Sequence, residues 1–446
     1  MKLAVVVQRY GADISGGAEL HARYVAEHLA GHAEVDVLTT CARDYVSWRN
    51  EFRPGLDDVH GIPVHRFPVA HERDENDFGR RSTHVFERQH SLADELAWLD
   101  SEGPACPALI RQLEAWRARF DFVLLFSARY YHAYHGARAT ADRAVLVPTA
   151  EREPSLGLSM FQPIFRGVRA IMYNSPEERA LINGLSANEH VPGVVVGIGS
   201  EIPEHVDGDR VRQKFSLRNP YLVYVGRIDA NKGCGELFDC FIQSVKHSSQ
   251  PVDLVLIGTP AMAIPDHPRI RHLGYVSDQD KFDAIAAAAV LVMPSYYESL
   301  SMVALEAWAL GRPVLANGHC DVLVGQCLRS NAGLYYENAH EFAGALHRLL
   351  SDEQLSQTLG RNGREYYARH YAWRVIEGKY LEMFERLTSQ PPTHTMEPVP
   401  GFFARRARNA PPATTVLSAV PAGAVAPERP TASASARLRR ARGERR

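Results

Sequence analysis

The six cysteines of this 446-residue chain, Cys41, Cys106, Cys234, Cys240, Cys320 and Cys327, include no C-x-x-C pair and no metal-ligand spacing. Free thiols in a reducing, cytoplasmic setting are therefore expected, rather than a disulfide frame or a zinc site. Long apolar runs are lacking too. Nothing approaches the roughly 18 uncharged residues that cross a bilayer. The opening Leu3-Ala4-Val5-Val6-Val7 is too short for a signal peptide and reads as a β-strand. No repeat of solenoid length is visible. The G-x-G-x-x-G fingerprint of dinucleotide enzymes does not follow that first strand. Nor is there a D-x-D element in a loop suited to a divalent cation: Asp57 and Asp58, Asp278 and Asp280 read as turn and helix-start residues. Neither a metal nor another cofactor is expected.

Net charge is also nearly absent, at −2, but unevenly so. Residues 401–446 hold ten arginines and two glutamates, a net of +8, which leaves −10 on the first 400. The body is mildly acidic, and no nucleic-acid partner is expected of it. The basic tail is rich in Ala, Pro, Ser and Thr and poor in large apolar residues, so it is expected to be disordered. Its charge leaves room for peripheral contact with anionic lipid at the inner face of a membrane.

What is present is β-α alternation. Apolar runs at 3–8, 35–40, 122–126, 145–148, 170–173 and 194–196 read as buried strands, as do 222–225, 254–257, 290–293, 314–316 and 334–336. Amphipathic stretches at 18–29, 236–245, 281–288 and 342–350 lie between them. The pattern predicts parallel sheets covered by helices, divided between two doubly wound domains. The expected division is residues 1–196, a hinge at 197–219, a second domain at 220–370, a late helix at 371–388 and the disordered tail at 389–446.

Three elements carry chemistry. Glu298 and Glu306 lie eight residues apart around the start of a helix that follows a buried strand. The amides of Ser301, Met302 and Val303 are then orphan donors of a helix start, where an anion is favoured, and the two carboxylates suit hydroxyl groups. Tyr221-Leu222-Val223-Tyr224-Val225-Gly226-Arg227 is a strand running into a loop that also bears Lys232. A guanidinium and an ammonium at a strand's carboxyl end suit a diphosphate. Gly16-Gly17 lets backbone approach a ligand closely where a helix begins after the first strand.

In this order and spacing, over residues 1–387, these elements resemble the retaining glycosyltransferases of family 4, the group 1 glycosyltransferases. Residues 225–233 and 294–313 are the most specific part. The resemblance implies a GT-B fold, two Rossmann-like domains facing a cleft, with the amino-terminal one on the acceptor side. It implies metal-independent transfer of a sugar from a nucleotide-diphosphate donor, with retention, to a saccharide or lipid-linked acceptor. Arg227 and Lys232 would neutralise the diphosphate, Glu298 would hold the transferred sugar and Glu306 the ribose. Ser301, Met302, Val303, Gly16 and Gly17 would face phosphate, and Val276 would lie where backbone contacts the base. The last helix would cross back onto the amino-terminal domain.

Two places depart from the family's pattern. Leu300-Ser301 replaces a common Phe-Gly, which keeps the amides. After Val147-Pro148-Thr149-Ala150, where the family carries a histidine, this chain has Glu151, which is expected to be catalytic in its stead; His132 and His135 lie one strand earlier. The alternative is a GT-B protein that binds nucleotide or sugar as an interaction subunit without transferring it.

Overall fold

The computed structural model describes residues 1–14, 16–246, 251–399 and 413–420. Residues 1–397 form one compact unit, and 398–446 are a separate one. The first half of the large unit runs β1 (Lys2–Val6), α1 (Gly17–Leu29), β2 (Glu34–Thr40), β3 (Gly55–Val59), β4 (Ile62–Phe67), α2 (Glu75–Glu87), α3 (Leu92–Glu102), α4 (Pro107–Ala115), β5 (Phe122–Phe126), α5 (Tyr131–Ala139), β6 (Ala144–Val147), α6 (Gln162–Gly167), β7 (Ala170–Tyr173), α7 (Pro176–Ser186) and β8 (Gly193–Val195). The second half continues with α8 (Gly208–Lys214), β9 (Tyr221–Val225), α9 (Cys234–Lys246), β10 (Asp253–Ile257), β11 (Ile270–Gly274), α10 (Asp278–Ala287), β12 (Val290–Met293), α11 (Met302–Ala309), β13 (Val314–Asn317), α12 (Asp321–Ser330), β14 (Gly333–Tyr336), α13 (Ala339–Ser351), α14 (Glu353–His370) and α15 (Trp373–Ser389).

Two sheets result, in the orders β3-β4-β2-β1-β5-β6-β7-β8 and β11-β10-β9-β12-β13-β14. Apart from the antiparallel β3-β4 hairpin, every pair is parallel. Central strands such as β1, β5, β9 and β12 are apolar on both faces because helices cover both. This is the expected α/β architecture, two Rossmann-like domains with a cleft between the carboxyl edges of their sheets. Strands β3, β4 and β11 have no counterpart in the sequence reading. Asp57 and Asp58 lie inside β3 and not at a turn or helix start, and the Arg66 guanidinium at 2.8 Å from Asp57 holds that carboxyl below its usual range. Asp278 does open a helix, which Ser277 caps.

The chain crosses between the halves twice, side by side. At the first crossing Gly197 and Gly199 have no room for a Cβ: the Tyr371 ring fills one space and the Trp373 ring the other. At the second, α15 returns to the first half, where Phe384 stacks on Phe122 at 5.1 Å between ring centres. Lys379 Nζ donates to the Val196 carbonyl at 2.9 Å and ties the crossings together. His28 of α1 stacks on Trp373, with Glu377 and Glu201 each 2.6 Å from its ring nitrogens.

Residues 390–397, which composition placed in the tail, pack on the first half. Arg169 reaches the Leu387 and Gln390 carbonyls, His394 reaches the Val168 carbonyl at 2.7 Å, and Met396 fills the space over Gly167. Carbonyl anchoring does here what the sparse apolar content does not. In the second unit Ala413–Ser418 is helical. The rest of the tail expectation, at 400–412 and 421–446, lies outside the described residues. Among those described, no helix is long and apolar enough to cross a membrane. All six cysteines are free and buried.

Candidate active site

Strand β9 ends at Gly226, and the loop beyond it is organised by Asp229, only 7 % exposed. One Asp229 oxygen accepts the Lys232 amide at 2.9 Å and the other accepts Arg227 Nε. A single carboxylate thus orients both candidate phosphate-binding cations. Gly233 closes the loop with φ +71°, and a Cβ on it would stand 2.1 Å from the Pro294 carbonyl at the end of β12. That approach presses the Lys232 loop onto the Glu298 loop. Gly233→Ala adds a left-handed φ penalty of about 1–2 kcal/mol to a backbone clash, so a fall in urea-unfolding stability beyond that figure is expected.

Lys232 Nζ lies 2.9 Å from Glu298 Oε1. Glu151, at the carboxyl end of β6, faces this pair from the first half. Burial pushes its carboxyl up to about 7, Lys232 works against the shift, and Glu298 and Glu153 add to it. Burial alone would lower the Lys232 ammonium; Glu298 and Glu151 outweigh it and hold the lysine above its ordinary range. Three of the four candidate catalytic groups therefore act on one another's charge across the cleft. Arg152 does not join them: it turns to Asp321 at 2.8 Å, leaving Lys232 and Arg129 as the cations that act on Glu151.

Arg227 stands at the other side of the loop. Its guanidinium donates to the Tyr45 hydroxyl and lies 5.4 Å from that ring's centre, while Arg9 lies 5.6 Å from the same ring. Tyr45 is thus a first-half side chain held between two guanidiniums.

Helix α11 starts as expected after the Glu298 loop. Ser301 is its N-cap, with Oγ accepting the Ala304 amide at 3.4 Å, and its φ of +73° is the left-handed conformation that glycine takes without strain. The glycine common at this place in the family meets a backbone demand that serine meets here at some strain. Met302 and Val303 form the first turn. Glu306 is nearly buried, and its Oε1 accepts from Ser200 Oγ and Lys281 Nζ, each at 3.0 Å. Its Oε2 is buried with no hydrogen-bond partner among the described residues, an acceptor left for a donor group such as a hydroxyl.

The remaining candidates are less directly placed. Gly16 caps α1, but the Glu19 carboxylate occupies the space a Cβ would take, 1.9 Å away; only Gly17 faces open space. Glu19 is itself held by Arg9 at 2.6 Å and Gln8 at 3.0 Å. Val276 follows Gly274 (φ +74°) at the carboxyl end of β11 and is half-buried, beside an exposed Tyr275. His132 is fully buried and bonds the Phe126 carbonyl at 2.8 Å, a structural placement. Among the described residues no group of three His, Cys, Asp or Glu is placed to hold a metal ion.

Sequence reasoning missed Asp229, Tyr45, Ser200, Lys281 and Glu178. Glu178 is buried in α7, where it accepts the Ala150 amide at 2.6 Å and the Asn174 amide. It fixes the backbone immediately before Glu151, and burial pushes its carboxyl up to about 8. Only Asp229, two residues from Arg227, could have been suspected from spacing; the rest arrive from distant segments.

Comparison with known proteins agrees with the fold and points to glycosyltransferases. The family model described as glycosyl transferases group 1 matches residues 219–352. A D-inositol 3-phosphate glycosyltransferase of Corynebacterium urealyticum is 23% identical over 416 residues, covering 86% of this chain and 94% of that protein. Among solved structures, Anabaena HepE in complex with UDP-glucose superposes with a TM-score of 0.62 at 18% identity, over 86% of this chain and all of HepE's. The sucrose-phosphate synthase of Thermosynechococcus elongatus also gives 0.62, at 17% identity, over 87% of this chain and 99% of that one.

Proposed function

We propose that this chain, a GT-B glycosyltransferase related to the group 1 family, moves a sugar from a nucleotide-diphosphate donor to a saccharide or lipid-linked acceptor with retention at the anomeric carbon. The meeting of Lys232, Glu298 and Glu151 at the facing carboxyl edges of β9, β12 and β6 carries this reading. Residues 1–196 form the acceptor side, 220–370 the donor side, 197–219 the linker, and 371–388 the return helix. The donor sugar lies against Glu298 and Glu151, its diphosphate near Arg227, Lys232 and the amides of Ser301, Met302 and Val303. The ribose meets the free Glu306 oxygen, and the base sits near Val276. Gly17 gives the first half's backbone its close approach. As the anomeric C–O bond breaks, its electron pair leaves on the diphosphate, where cations and amides already in place stabilise it. The acceptor oxygen takes the carbon, and its proton passes to the departing diphosphate oxygen. A cytoplasmic protein, touching the inner face of a membrane through its basic tail, fits such acceptors.

The HepE complexes with UDP and UDP-glucose make a uridine donor the first to try. Thermal shift of the full chain across a panel of nucleotide sugars should single out one donor. Release of nucleoside diphosphate from that donor should persist in excess EDTA, since side-chain cations and amides hold the leaving group. Activity abolished by chelation and restored by Mn²⁺ would overturn this assignment.

A further inference from the structure

The opposite edge of the second sheet holds a cavity of about 550 Å³. Pro220, Ala289 and Pro313 line it just before β9, β12 and β13, and Arg312, Leu350 and Ser356 complete the wall. A strand of four to five residues separates this edge from the active site, roughly 15 Å, so the cavity is not part of the cleft.

Arg312 is its unusual member. Among the described residues its side chain makes no hydrogen bond and no ion pair, and its Nε is buried without a partner. Two further guanidiniums stand near it. Arg364 lies across Gly311 and donates to the Leu310 carbonyl at 3.3 Å. Arg212 donates to the Ala287 carbonyl at 2.8 Å and the Asn219 carbonyl at 3.2 Å. Neither has a carboxylate partner among the described residues. Burial, together with these two like charges, holds Arg312 below its ordinary range. Of the protein's most buried arginines, Arg9 is paired with Glu19 and Arg66 with Asp57, while Arg169 donates to the Leu387 and Gln390 carbonyls; the Arg312 side chain has neither kind of partner among the described residues. Here the counter-charge is missing.

We propose that this cavity binds the phosphate group of a small phosphorylated metabolite, gripped by the Arg312 fork. A planar guanidinium with free N–H groups matches an oxyanion bidentately. The volume falls in the range of small-molecule sites and far exceeds a bare phosphate, leaving room for an organic body against the prolines and Leu350. Glu353, the carboxylate on the rim, is exposed and takes the Gln357 amide at 2.9 Å. It stands ready to accept from hydroxyl groups on that body, which points to a sugar phosphate.

The test uses the full chain carrying Arg227→Ala and Lys232→Ala, so that the cleft's own phosphate-binding cations are removed. Inorganic phosphate and glucose 6-phosphate are titrated calorimetrically at low salt. Both should bind, the ester at least tenfold more tightly, and Arg312→Gln should weaken each at least tenfold. Arg312→Lys, which keeps the charge without the fork, should fall between and serves if the glutamine variant does not fold. No binding, or binding indifferent to Arg312, overturns the site. Equal affinity for phosphate and ester overturns the assignment to a metabolite.

Discussion

Lys232→Ala should lower kcat by two to three orders of magnitude while the protein stays folded. Lys232 is the cation that the geometry gives to both sides of the reaction. It neutralises Glu298 at 2.9 Å and holds down the ionisation cost of Glu151, and in the proposed function it shares the departing diphosphate with Arg227 across the loop. Removing one preorganised charge donor from a site of developing negative charge costs about 2.7–4 kcal/mol in the barrier. Here the loss also leaves two carboxylates facing one another. Arg227→Ala should be milder, because that guanidinium is half-exposed and already engaged with Asp229 and Tyr45. Single-turnover rates with the donor identified by thermal shift make the comparison. A Lys232→Ala enzyme with a wild-type rate would remove it from the site.

The second large effect is expected at Glu151. A carboxyl with a folded-state pKa of about 7, raised from 4.5, is neutral below that pH and ionised above it. If the carboxylate is the working form, accepting sugar hydroxyls or facing positive charge at the anomeric carbon, activity rises with pH through about 7. Glu151→Gln should then cut kcat more than tenfold, about 1.4 kcal/mol, with little change in donor Kd, and it should erase that acid limb. Stability moves the other way. Relative to the unfolded chain, the folded state is penalised for ionising Glu151. The penalty is absent below about pH 4.5, grows between 4.5 and 7, and is constant above, up to roughly 3 kcal/mol. The glutamine variant should therefore be slower yet harder to unfold with urea than the wild type at pH 8, an advantage that should vanish at pH 4. A variant with unchanged kcat and an unchanged pH profile would take Glu151 out of the chemistry.

The strands legible in the sequence are those buried on both faces, such as β1, β5, β9 and β12, because continuous apolar runs admit few other readings. The hairpin β3-β4 hid because four of the five β3 residues are exposed and β4 only alternates, with Ile62, Val64 and Arg66 inward, and Asp57 and Asp58 read as turn residues. Strand β11, Ile-Arg-His-Leu-Gly, lies at a sheet edge and never needed an apolar run. The same contrast governs the site. Lys232 and Glu298 were legible because each follows a buried strand at fixed spacing. The partners that decide how they behave are not written locally. Glu178 reaches the Ala150 amide from 28 residues away, and Ser200 meets Glu306 across 106. Only the closed topology supplies such contacts.

The paired crossings have a mechanical meaning. One covalent link between two bodies leaves them free to twist as well as to open. Two links lying against each other, Tyr371 on Gly197 and Trp373 on Gly199, act like the two pins of a door hinge. They define one axis and stiffen the joint against torsion. Any opening of the halves about that axis would carry Glu151 away from Lys232 along nearly one arc, and closure would return them to the same register.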